Sequence, residues 1–241
     1  MIEWLRRPVG ADPTVRIGDR SLPVVIRRNG RAKRMILRLG PAGREVCVTL
    51  PLWGRTAEAL AFARSRAGWL EAQLAGLPAP GDPVAEGRIA YRGADLPIAW
   101  DRRHPRQPRL NGGVLALGGP ADTVTRRLQR WLEAEAERLI GADLAEYCAR
   151  AGLDAPPLRL SRARRRWGSC SATGTVRVNW RLVQAPDSVR RSVVAHEVAH
   201  LVHFDHSPAF HACLAGLFEG DLAQADGWLK REGRTLYRQF G

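Results

Sequence analysis

Five of the chain's six histidines fall between residues 196 and 211. Three of them stand in the run His196-Glu197-Val198-Ala199-His200 and, six residues on, at His206. Residues four apart on a helix share a face, with Cβ atoms about 5–6 Å apart. Two imidazoles at that spacing can share one tetrahedral metal ion, and the intervening carboxylate can reach a water on that metal. This is the chemistry of a metal-dependent hydrolase. Histidine and carboxylate donors without thiolate suit zinc, one per chain. Three protein ligands leave the fourth position for water, whose pKa zinc lowers to about 7. Glu197 then takes the proton as that water attacks and delivers it to the leaving group.

Val193, Val194, Val198 and Leu201 make the motif helix apolar enough to bury, and buried imidazoles need partners. Spacing alone leaves the third ligand open. His203 stays on the same face, but at 1.5 Å per residue it lies about 10 Å along the axis from His196. If the helix stops near His203, the turn Phe204-Asp205-His206-Ser207-Pro208 can swing His206 back toward the metal. The spacing favours His206, with Glu219 and Asp221 as the carboxylate alternatives. His203 then reads as a pocket residue and His211 as structural. His104, alone in a Pro/Arg-rich loop, receives no role.

The elements that position these residues are readable from periodicity. Leu22 to Arg28, Met35 to Leu39 and Val46 to Leu50 predict strands separated by Gly- and Pro-containing turns. Thr56 opens one helix to about Leu74, with Leu60, Ala63, Ala67, Leu70 and Leu74 on one face. Gly76 to Gly87 is a break, Arg88 to Trp100 a hairpin turning at Gly93, and Arg102 to Pro120 irregular except for a strand at Val114 to Leu117. A long amphipathic helix runs from near Asp122 to Gly152. Strands at Leu158 to Ser161 and Thr175 to Trp180 are joined through Arg164 to Cys170. Asp187 caps the motif helix, Ser188 to about His203. Ser207-Pro208 opens another helix through Leu217, and a last one spans Leu222 to Tyr237. The fold class is α+β. A β-rich module over residues 1–120 precedes a helical catalytic module with a small sheet over residues 121–241.

The formal charge is +14. Such an excess can attract nucleic acid, anionic membrane or acidic substrates. Only Lys33 and Lys230 are lysines, and the arginines are spread along the whole chain, a skew that GC-rich coding also produces. Arg27, Arg28, Arg31, Arg34 and Arg38 form either a basic N-terminal face or a solvated sheet face. Cys47, Cys148, Cys170 and Cys213 are scattered and form no C-x-x-C pair, which fits a reducing compartment. Met1 to Pro8 lacks the apolar core of a signal peptide. No apolar stretch approaches the ~20 residues of a membrane span. These features predict a soluble cytoplasmic protein without a membrane partner.

Trp167-Gly168-Ser169-Cys170, Asn179-Trp180-Arg181-Leu182, the His196 to Leu201 run and His206-Ser207-Pro208-Ala209-Phe210 together resemble the YgjP-like metallopeptidase family. That family is similar to the SprT-like and WLM proteases within the zincins. The resemblance covers most of the chain. It implies a zincin-like catalytic module, His196, His200 and His206 as zinc ligands, and Glu197 as catalytic acid/base. It also implies that the strand over Thr175 to Val183 runs along the cleft, where a substrate backbone can add to it. Relatives often carry Phe-Trp where this chain has Phe210-His211.

Arg165, Arg166, Trp167, Asn179 and His203 are the candidate substrate contacts. Arg164 to Arg166 is either a solvated basic loop or a cluster able to hold an anionic group by bidentate contacts. Trp167 and Trp180 read as core or cleft wall, and Cys170 as a packed thiol rather than a fourth ligand. A metalloendopeptidase acting on peptide or protein is the leading function. A metal-dependent nucleoside triphosphate pyrophosphatase and a DNA-associated SprT-like protease, with nucleotide or nucleic acid as partner, are the alternatives. Oligomeric state is not legible.

Overall fold

The computed structural model describes residues 13–40, 43–76, 79–171 and 173–240. Met1 to Pro8, read above for a leader, lies outside the described residues. The chain forms two compact units, Met1–Pro78 and Ala79–Gly241. Each combines helices with a sheet, so the fold is α+β as predicted. Among the described residues no helix is long and apolar enough to cross a membrane.

In the first unit, β1 (Thr14–Ile17), β2 (Arg20–Arg28), β3 (Ile36–Leu39) and β4 (Val46–Leu50) form one sheet in the order β1-β2-β4-β3. β2 and β4 run parallel with Val24 opposite Val46, and the other pairs are antiparallel. Val15, Ile17, Val24, Val46, Val48 and Leu50 are buried against Ala59, Ala63 and Leu70. The helix predicted over residues 56–74 is two helices, α1 (Thr56–Ser65) and α2 (Ala67–Ala75). The Ser65 hydroxyl donates back to the Phe62 carbonyl, and the Arg66 N–H bonds Ala63 three residues back. Both contacts tighten the last turn and end the ladder there.

The second unit begins with α3 (Pro83–Glu86), then β5 (Arg88–Tyr91), β6 (Ala94–Trp100), β7 (Arg109–Asn111) and β8 (Val114–Leu117), ordered β5-β6-β8-β7. The 27-residue α4 (Val124–Arg150) follows. Next come β9 (Leu158–Ser161), β10 (Gly168–Cys170), β11 (Val176–Asn179), a 3-10 turn (Trp180–Gln184), α5 (Asp187–Val202), α6 (Pro208–Leu217) and α7 (Leu222–Glu232). Ile89, Leu115 and Leu117 share one continuous core with Leu128, Leu132 and Ile140 of α4 and with Val194 and Val198 of α5. The division read at residue 120 therefore falls inside this unit: the sheet over 88–117 buries its apolar residues in the core that also holds α5.

The small sheet has the order β10-β11-β9. The strand expected to border the cleft, over Thr175 to Val183, is its central strand, and β10 takes the edge. The sequence stretch 168–170 shows too short a pattern to read as a strand. Its pairing with β11, Gly168 opposite Val178, is a tertiary decision.

Two devices hold α5 in place. The hairpin of β5 and β6 turns through Arg92 (φ 51°) and Gly93 (φ 82°), the two positive φ values of a type I′ turn. A Cβ on Gly93 would lie 2.8 Å from Pro186 Cα. This close approach lets Arg92 and Gly93 donate backbone N–H bonds to Val183 (2.8 Å) and Gln184 (3.0 Å), just before α5. The Arg92 guanidinium then pairs with Asp187 in the first turn, where a carboxylate also suits the helix dipole. Deeper, Arg190 Nε meets Asp143 of α4 at 2.7 Å, both side chains buried. Arg191 continues the network to Asp143, Glu146 and Glu219.

Candidate metal centre

α5 carries His196 and His200 one turn apart, as the spacing dictates. It ends at His203, whose backbone is extended (φ −132°, ψ 113°). The chain then turns, and α6 starts at Pro208 with Ser207 as its cap. That turn returns His206 to the other two histidines.

The three imidazoles converge through Nε2. His196 and His200 are 3.2 Å apart, and His206 lies 3.5 Å from His196. All three ligand atoms lie within 4.8 Å of one another. A tetrahedral zinc with Zn–N bonds of about 2.0–2.1 Å spaces its nitrogens about 3.3–3.4 Å apart, close to the His196–His200 and His196–His206 spacings. The His200 Nδ1–H donates to the His203 carbonyl at 3.1 Å, which directs the Nε2 lone pair to the cluster. Burial, then the neighbouring imidazoles of His200, His206 and His211, holds the His196 pKa down at about 4. His196 is thus neutral at pH 7, the state a ligand needs. Phe210 of α6, fully buried, packs its ring 4.5–5.0 Å from all three imidazole centroids.

Glu197 faces away from solvent, 5% exposed, against the edge strand β10. A Cβ on Gly168 would lie 2.3 Å from Glu197 Oε1 and 2.7 Å from its Cγ. The strand can approach the carboxylate only because residue 168 has no side chain. Burial pushes the Glu197 pKa up to about 7, against the opposing pull of Arg166 and of the Cys170 backbone N–H. Among the described residues its buried Oε2 has no hydrogen-bond partner. We expect Gly168→Ala to displace this carboxylate while leaving the three histidines in place. Metal content should stay at the wild-type level while turnover drops at least about tenfold. Equal loss of both would show that the strand supports the whole cluster instead.

The family follows from the chain itself. A model of the YgjP-like metallopeptidase domain matches residues 33–232. The chain belongs to the YgjP-like metallopeptidase family. Among solved structures it is similar to the metallopeptidase zymogen of Pyrococcus abyssi, abylysin, at 18% identity and a TM-score of 0.30, over 46% of this chain and 98% of that one. No match is found among curated proteins.

The remaining candidates in this YgjP-like chain separate clearly. Glu219 accepts from Tyr147 (2.8 Å) and pairs with Arg150 and Arg191, and Asp221 caps α7. Both carboxylates are engaged outside the histidine cluster. Burial, then the Glu197 carboxylate, pushes the Cys170 thiol above its usual range, and its Sγ contacts the Ser171 carbonyl. Asn179 is fully buried. Its amide donates to Ala163 (2.8 Å) and Tyr237 (3.4 Å), and its carbonyl accepts from the Arg181 N–H. All its polar atoms are used inside the protein. Trp180 is core, stacked on Arg181. Arg165 and Arg166 are exposed. His203 contributes its carbonyl, as described, rather than a fourth imidazole.

Trp167 does line a cavity of about 540 Å³ beside His196 and Glu197. Leu214 and His211 of α6 and Leu222, Asp226 and Leu229 of α7 complete its walls. Sequence reading missed the α7 contribution. Its only local signal is the amphipathic spacing of Leu222, Ala225 and Leu229, which shows a buried face but not what that face borders.

Proposed function

We propose that this metallopeptidase is a zinc endopeptidase in which His196, His200 and His206 hold the metal and Glu197 handles the proton. The convergence of three Nε2 atoms beside a buried carboxylate with a free oxygen carries this reading. Zinc bound there supplies Lewis-acid polarisation of a scissile carbonyl and a water of lowered pKa. Glu197, anchored through the Cys170 N–H and raised toward neutrality by burial, can accept a proton at Oε2 and return it to a leaving amine. The His203 carbonyl keeps His200 in the ligating tautomer. β10, an edge strand against α5, offers its backbone to an extended peptide. The cavity walled by Trp167, Leu214 and Leu229 would take an apolar side chain next to the scissile bond. Among the described residues none of the four cysteines forms a disulfide, which suits a reducing compartment.

Elemental analysis joined to turnover on an unfolded protein and on a nucleoside triphosphate panel tests this. The expected outcome is one zinc per chain with cleavage of the protein substrate alone. Hydrolysis of triphosphates without proteolysis would transfer the same site to phosphoanhydride chemistry, with the exposed Arg165 and Arg166 as anion contacts.

A further inference from the structure

The first unit holds a groove remote in sequence from the histidines. Its volume is about 480 Å³, and it is lined by residues 34–38 and by Phe62, Arg66 and Trp69. Successive strand residues point to opposite faces of a sheet. Met35 and Leu37 pack toward the helix-covered core, so Ile36 and Arg38 point to the other face. Residues 36–38 of β3 line it from both faces, with Arg34 and Met35 from the segment just before the strand, so the groove runs over the strand's edge rather than over one face. Among the described residues β3 is an edge strand, paired only with β4. Its outward backbone groups are open to a further strand.

The floor is apolar, from Met35, Leu37, Phe62 and a Trp69 that is 46% exposed. The rim is basic, from Arg34, Arg38 and Arg66. Among the described residues no carboxylate lines the groove, and none of these three arginines has an ion-pair partner. Residues 1–78 carry 14 Lys and Arg against 6 Asp and Glu, a net +8. An edge strand beside a helix, with apolar pockets and one sign of charge, matches an extended segment rather than a folded ligand. We infer that β3 and its groove dock an extended acidic segment of a partner protein by strand addition, with alternate acidic side chains on the arginines and apolar ones on the floor. Phosphate tracking by nucleic acid would use the same arginines but has no need of an open strand edge over an apolar floor.

The test uses the full chain carrying Glu197→Gln, so that a peptide probe is not consumed. The probe is a fluorescein-labelled ten-residue peptide alternating glutamate with valine, read by anisotropy near physiological salt. Saturable binding is expected, with the lysine-for-glutamate peptide inert. Arg34→Glu with Arg38→Glu should weaken it at least about tenfold. Both positions are exposed, so this variant should fold, and an unchanged thermal melt verifies that. N-methylation of alternate backbone amides, which keeps charge and side chains, should weaken it as much. Undiminished binding of the methylated peptide would overturn strand addition. So would no saturable binding, binding of an oligothymidylate in place of the peptide, or β3-dependent self-association of the chain. None of these readouts involves turnover, so failure of the zinc-peptidase reading would leave them unaffected.

Discussion

Glu197→Gln should retain one metal ion per chain and lose turnover by roughly 10²–10⁴, the usual contribution of a positioned acid–base group. The substitution keeps the volume and keeps an oxygen for the Cys170 N–H, so the packing against Gly168 survives. It removes only the capacity to take a proton. The three histidines are untouched, because Glu197 lies on the β10 side of the helix and is not among the converging ligand atoms. Metal analysis and steady-state turnover on the same preparation check both halves. Full activity in the variant would remove Glu197 from the mechanism. Loss of metal along with activity would make it a structural support.

The second large effect separates two histidines three residues apart. His206→Ala should lower metal affinity at least about 100-fold, since it removes one of three donors. His203→Ala should leave the metal bound, because residue 203 acts through its main-chain carbonyl, which any residue supplies. Competition with a chelator of known affinity measures both. A larger loss in His203→Ala than in His206→Ala would reverse the assignment of the third donor. The contrast matters because helix periodicity alone places His203, not His206, on the face of His196 and His200.

Much of the centre was legible because it is local. An i, i+4 pair on a helix shares a face whatever the rest of the chain does. A Ser-Pro pair opens a helix by its own dihedral preferences, so the break between α5 and α6 could be read before any packing was known. The strands over 22–28, 35–39 and 46–50 followed in the same way from runs of apolar and β-branched residues. The α1–α2 break did not, because a Ser back-bond in the middle of an apolar stripe leaves the periodicity intact.

What the sequence by itself determined is the i, i+4 histidine pair, its helix, and membership of α+β architecture: each depends on spacing that backbone geometry converts directly into proximity. What only the tertiary structure decided is which strand lies on Glu197, how the polar candidates divide, and what walls the cavity. β10 is three residues long, and only its pairing with β11 makes it an edge. Asn179 and Arg165 are equally polar in sequence, yet one is buried with its side chain fully engaged and the other is exposed. Burial is set by all the elements that pack around a residue, and one residue's own neighbours in sequence hold only a fraction of that information.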